Sequence, residues 1–161
     1  MECGCSTHNI QSLGGPTPCQ SANVPKNLQM ANTTGASALT HWPIQIRLIP
    51  AHAPFLKNCD LLVVADCTAA SVKDLHEKYL VGKVMMMGCP KFDDAQSYVE
   101  RFTEIIDTCE LRSLTILIME VPCCSAMNVI IKQALGKTDK TVPVEQITIS
   151  TKGEELERVT W

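Results

Sequence analysis

The 161-residue chain carries 14 Lys and Arg against 17 Asp and Glu, a net charge of -3 at pH 7, and 45% of its residues are hydrophobic. That is enough for one buried core with an extension, and scattered basic residues with few stacking rings leave no nucleic-acid footprint. No apolar run reaches the roughly 18 to 20 residues of a membrane span and no secretory signal opens the chain, so the expectation is a cytoplasmic protein without nucleic-acid or membrane partners.

Residues 1–40 hold only Glu2 and Lys26 as charged side chains and are rich in Gly, Pro, Ser, Thr, Asn and Gln. That is the composition of an irregular arm rather than of a packed unit. The α/β domain is expected to run from 41 to 161. Ile44, Ile46 and Leu48 alternate with Gln45 and Arg47, which predicts a half-buried edge strand. Leu61–Ala65 is a continuous apolar run, as in a strand covered on both faces, and Val72, Leu75 and Tyr79 follow at helical spacing. Val84–Met87 predicts the third strand.

A helix is expected from about Asp93 to Cys109, where apolar residues from Ala95 on recur with helical period and Asp93 and Asp94 sit in the first turn, which favours negative charge. Leu114–Val121 predicts a fourth strand, Ser125–Leu135 a helix that Pro122 can start and Gly136 can end in the left-handed conformation, and Val144–Ser150 a strand at the other edge. The segment 153–161 has no assignment. Strands alternating with helices predict an open, mainly parallel sheet of about five strands with helices on both faces, flavodoxin-like or Rossmann-like.

Nine cysteines, at positions 3, 5, 19, 59, 67, 89, 109, 123 and 124, are the anomaly of this composition. An odd number in a chain without a signal peptide argues against a disulfide framework. Cys109 continues the apolar stripe of its helix and reads as core. Cys59 precedes its strand and reads as structural, whereas Cys67, Cys89 and the Cys123–Cys124 pair each follow a strand. In a parallel sheet those exits share one rim, where ligands bind, and neighbouring strands are only about 4.8 Å apart. Thiolates are soft metal ligands, and a helix start favours the thiolate of Cys123 or Cys124. Four sulfurs are the ligand set of an iron–sulfur cluster or of zinc.

Adjacent residues rarely both ligate one centre, so Cys3 or Cys5 of the arm is a candidate for a missing ligand, ordered when metal binds. The expected metal-binding and cofactor-binding residues are therefore Cys67, Cys89, Cys123, Cys124, Cys3 and Cys5. A vicinal pair also suits thiol–disulfide or sulfur-transfer chemistry, which stands as an alternative beside zinc. Asp66 and Glu120 flank rim cysteines and either tune the site or cap helices. His8, His41, His52 and His76 lack metal-ligand spacing, and no glycine-rich phosphate loop or Ser-His-Asp arrangement is readable.

Residues His41 to about Glu155 resemble the C-terminal domain of the ferredoxin-like, 4Fe–4S dicluster-containing iron–sulfur proteins of anaerobic bacteria and archaea. The matching strings are Trp42-Pro43-Ile44-Gln45, Ala53-Pro54-Phe55, Leu61 to Cys67, Gly88-Cys89-Pro90-Lys91 with Asp93-Asp94, and Met119-Glu120-Val121-Pro122-Cys123-Cys124. Cys3-Gly4-Cys5 matches the element that links this domain to the dicluster module in longer relatives; that module has no counterpart here. The resemblance implies an iron–sulfur site, expected to be [4Fe–4S], on the remaining domain. The expected role is electron transfer or redox sensing with a redox partner protein, in a chain that can form a homo-oligomer, rather than stand-alone catalysis.

Overall fold

In the computed structural model, which describes residues 11–12 and 37–161, the two longest apolar runs become neighbouring strands at the heart of one sheet. In chain order the elements are β1 (Gln11–Ser12), β2 (His41–Trp42), β3 (Asp60–Ala65), α1 (Asp66–Ser71), β4 (Val84–Gly88), α2 (Ala95–Cys109), β5 (Ser113–Met119), α3 (Pro122–Gly136), β6 (Val144–Ile149) and β7 (Glu155–Thr160). The five-stranded sheet has the order β4-β3-β5-β6-β7. The first four strands are parallel and β7 runs antiparallel to β6. The chain steps outward from β3 to β4 and then returns past β3 to β5, so the direction of winding reverses between β3 and β5.

β3 and β5 are central and apolar because helices cover both of their faces. Tyr98 of α2 lies over Gly88 on one face, while Ser71 of α1 reaches Met119 on the other. α2 buries Tyr98, Val99, Phe102, Ile105, Ile106 and Cys109 on a single stripe. Its start is fixed by Asp94, whose carboxylate accepts from the Gln96 and Ser97 amides at 3.2 and 3.1 Å. Cys109 is core as expected, with its thiol donating to the Ala51 carbonyl at 3.0 Å. Among the described residues no helix is long and apolar enough to cross a membrane.

Several local expectations need correction. The alternation at 44–48 yields one parallel bridge, Gln45 to Met87, and then a turn, in which Ile46 and Ile49 are buried and Leu48 is not. Two hydrogen bonds to Met87 hold the bridge, and Pro50 follows too closely for a longer strand. The expected helix at 72–79 is displaced: α1 ends at Ser71, and a π-type turn spans His76–Leu80. Val72, Leu75 and Tyr79 are buried all the same. β6 is not an edge, because the unassigned tail forms β7 outside it. Gly136 is the last residue of α3, and the left-handed position lies elsewhere, at Glu110 after α2.

The segment entering the domain closes the free side of β4. Ala38 and Leu39 pack against the core. Buried His41 accepts the Met85 amide through Nε2 at 3.0 Å, with Nδ1 paired to the Pro43 carbonyl at 3.1 Å. This pattern requires the neutral ring with its proton on Nδ1. Burial lowers the His41 pKa below 6.5. The contribution of His41 to stability is therefore complete above the unfolded value and is lost as pH falls from there toward the folded one. Denaturant midpoints should decline across that window in the native chain but much less in His41→Phe. That variant keeps the stacking on Phe55 yet should lose about 1–3 kcal/mol at neutral pH by stranding the Met85 amide. Identical pH dependence in the two proteins would refute the assignment.

Candidate functional site: a thiol rim at the switch point

The register decides which residues meet. Ala65 pairs with Gly88, and Val64 pairs with Leu117. Cys89 therefore follows directly on the residue level with the end of β3, and Cys67 lies two residues beyond that level. β5 runs on to Met119, and its exit turns through Glu120 and Val121 into α3. Pro122 occupies the first helical turn, so Cys123 and Cys124 fall in that turn as the sequence predicts. All four thiols lie at the carboxyl ends of β3, β4 and β5, around the point where the winding reverses.

Their environments differ. Cys67 and Cys123 are exposed, Cys89 is half-buried and Cys124 is buried. Burial pushes the Cys124 thiol above its ordinary pKa, against the Met119 backbone group, and the charges of Cys123 and Cys67 push it the same way. Cys67, Cys123 and Cys124 thus form one electrostatic group. Cys89 stands toward the β4 side, near Tyr98. Among the described residues no three His, Cys, Asp or Glu side chains stand in a metal-holding arrangement. Cys3, Cys5, Cys19 and His8 lie outside the described residues. Cys59 is buried at the opposite rim, and burial, with the Cys109 and Asp60 charges, pushes its pKa up to about 12.

The two carboxylates beside the rim take different roles. Glu120 accepts the Thr151 amide at 2.7 Å and ties the β5 exit to the β6–β7 turn. Asp66 keeps one carboxyl oxygen buried without a partner, as do Thr68 in the same helix and Asn128 one turn beyond Cys124. Burial raises the Asp66 pKa, opposed by the Gln45 side chain and reinforced by Asp93.

Sequence reasoning missed the polar group behind Cys89. Tyr98 donates a hydrogen bond to Asp93, Arg47 binds the same carboxylate at 3.1 Å, and the Asp93 amide donates to the Cys89 carbonyl at 2.9 Å. Burial disfavours the Asp93 charge, but Tyr98 and Arg47 outweigh it and hold the carboxyl below its ordinary pKa. The available signal was Gly88 at a strand end, a position without a side chain beneath an aromatic stripe.

The donor chemistry suits a soft centre, because exposed thiols are the ligands of zinc and of iron–sulfur clusters. The same exposure predicts an order of reactivity. In metal-free protein without denaturant, Cys67 and Cys123 should be alkylated first among the described cysteines, with Cys59, Cys109 and Cys124 protected, as peptide mass spectrometry would record. Labelling of Cys109 alongside Cys123 would contradict the packing.

Residues 53–160 match the family described as a Rossmann-like domain, and the chain belongs to that family. It is also similar to a protein of Archaeoglobus fulgidus described as uncharacterized, 29% identical over 112 residues that cover 70% of this chain and 79% of that one. No solved structure matches.

Proposed function

We propose that this protein binds an iron–sulfur cluster, [4Fe–4S], at its carboxyl rim and carries or senses electrons for a redox partner protein. The observation that carries the reading is the delivery of thiols by three side-by-side strand ends, β4, β3 and β5, at one level of the sheet. Cys67, Cys89 and one of Cys123 and Cys124 would hold the group. The bound cluster would supply one-electron chemistry. The amides of the first turn of α3 would donate to sulfur, and buried Cys124 would shield one side from water.

Cys3 or Cys5 of the arm would supply a further ligand. The resemblance of the Met119–Cys124 string to the domain of the dicluster proteins points the same way.

A second reading rests on the contact between Cys123 and Cys124, with Cys123 exposed to attack a disulfide and Cys124 buried to resolve it. Anaerobic purification with iron, acid-labile sulfide and zinc analysis separates the readings. About four irons and four sulfides per chain are expected, as the [4Fe–4S] type requires. Stoichiometric zinc without visible absorption would replace the cluster by a structural metal. Metal-free protein after anaerobic reconstitution, with a rapidly alkylated Cys123, would leave thiol exchange.

A further inference from the structure

The loop that follows the Gln45 bridge lies beside α2, and side chains cross between the two in both directions. Arg47 reaches from the loop to Asp93, just before the helix, with Nη1 donating to Oδ1 at 3.1 Å. Arg101 reaches from the helix back to the loop, with Nη1 donating to the Ile49 carbonyl at 2.9 Å. Both guanidiniums therefore stand in the groove between loop and helix, where they line a cavity of about 110 Å³ with Ile46, Ser97 and Tyr98. Ser97 lies one turn before Arg101 on the same face of α2. The carboxylates nearby are already engaged. Asp93 holds Arg47 and Tyr98, and Asp94 accepts the Gln96 and Ser97 amides. Arg101 is half-buried and, among the described residues, forms no ion pair. A guanidinium presents about five N–H donors in a planar fork, so most of the donors of both side chains remain to be given.

Size and charge narrow the choice of ligand. The cavity is well below the roughly 300–1,000 Å³ of sites that enclose an organic ligand. At about 30 Å³ for each water, it has room for a few waters or for one small polyatomic ion. Arg47 and Asp93 neutralise each other, so the charge of Arg101 is left uncompensated and selects for an anion. The first amides of α2 are taken by Asp94, which leaves recognition to the two guanidiniums. Two planar forks match an anion with several oxygens pointing in different directions, as in phosphate, better than the two coplanar oxygens of a carboxylate. We infer that this groove binds one tetrahedral oxyanion of the phosphate type, clamped between Arg47 and Arg101. The ion is either free or the terminal group of a phosphate ester whose body stays in solvent. The inference does not depend on what the thiol rim binds.

Amide and guanidinium N–H shifts of the full chain, titrated with inorganic phosphate, methyl phosphate and acetate at constant ionic strength, test the assignment. Phosphate should bind saturably in the millimolar range and move Ile49, Ser97 and the Nε–H signals of Arg47 and Arg101, leaving Thr115 and Val144 unmoved. Acetate should bind more weakly. Arg47→Gln and Arg101→Gln should each weaken phosphate binding about tenfold or more, the loss of a charged hydrogen bond. The Arg47 side chain is 67% exposed, so its variant keeps the test decisive if Arg101→Gln does not fold. Methyl phosphate that binds as well as phosphate supports the ester as the natural ligand, and methyl phosphate that binds much more weakly supports the free ion. The inference is overturned by shifts that do not saturate, by acetate that binds as tightly as phosphate, or by unchanged affinity in Arg47→Gln or a folded Arg101→Gln.

Discussion

Cys67→Ser and Cys89→Ser should each strip most of the iron from anaerobically prepared protein, while Cys109→Ser keeps its iron and loses only stability. Serine preserves the shape of the side chain but offers a hard oxygen with a high pKa where a soft thiolate is needed. Even changes in residues that merely support ligands weaken metal binding about 10- to 100-fold, so loss of a ligand should exceed that. Cys67 and Cys123 are exposed, and substitution at either costs little packing. Loss of iron there cannot then be ascribed to unfolding. Cys124 is buried, and its variant must be compared at matched stability. Between Cys123 and Cys124, the variant that loses the iron is the ligand. Cys109→Ser supplies the contrast, because its thiol serves the Ala51 carbonyl in the core. Full iron content in Cys67→Ser, Cys89→Ser and both Cys123 and Cys124 variants would remove the rim as the site.

Gly88→Ala should be the most destabilising single-methyl change near the rim, at about 3 kcal/mol or more from overpacking and a disturbed hydrogen bond to a carboxylate. A Cβ at Gly88 would stand 2.0 Å from the Tyr98 hydroxyl, 2.9 Å from its Cζ and 3.0 Å from Ile46 Cδ1. Tyr98 cannot swing aside, because its ring is 1% exposed and its hydroxyl is bound to Asp93. Relief therefore requires α2 to lift or the Cys89–Asp93 turn to move. The predicted signature is a fall in the denaturant midpoint together with faster alkylation of Cys89. Adding Tyr98→Phe removes the closest clash, so the double variant should lose less than the sum of the two single changes. Gly136→Ala is the control, since a Cβ there meets nothing within 4 Å, and it should be neutral or stabilising by up to about 1 kcal/mol. Strict additivity of Gly88→Ala and Tyr98→Phe would contradict the packing described.

The sequence was most legible where a single physical demand dominates. Leu61–Ala65 and Leu114–Met119 are buried on both faces, so their uninterrupted apolar character marks central strands, and the stripe of Tyr98, Phe102 and Ile105 marks a helix on a sheet. Legibility failed where partners far along the chain decide the outcome. Glu155–Thr160 is exposed along nearly its whole length, so burial prints no alternation on it; it becomes a strand only because β6 offers a free edge. Ile44, Ile46 and Leu48 alternate like a strand, but His41 and the turn before Pro50 leave room for one bridge. The placement of Cys67, Cys89 and Cys123 at strand ends on one rim was readable, since each follows an apolar run. That those ends are neighbours and unequally buried was not, because both depend on strand order, which the periodicity does not encode. The Tyr98–Asp93–Arg47 group behind Cys89 is likewise a matter of order: it exists because β4 lies at the margin, where the 44–47 segment can reach it.

The two flanks of the sheet are finished in different ways, and together they restrict how another chain can approach. On the β4 flank an imidazole takes the place a neighbouring carbonyl would have occupied. On the β7 flank Glu155, Glu157 and Arg158 put charge along the outermost strand, a common guard against edge-to-edge pairing. A companion that seeks to extend the sheet by adding its own strand therefore meets a plugged side or a charged one. The ends of the strands remain accessible approaches, with sulfur at the carboxyl end and, at the amino end, a cavity lined by Lys83, Ser113 and Glu145.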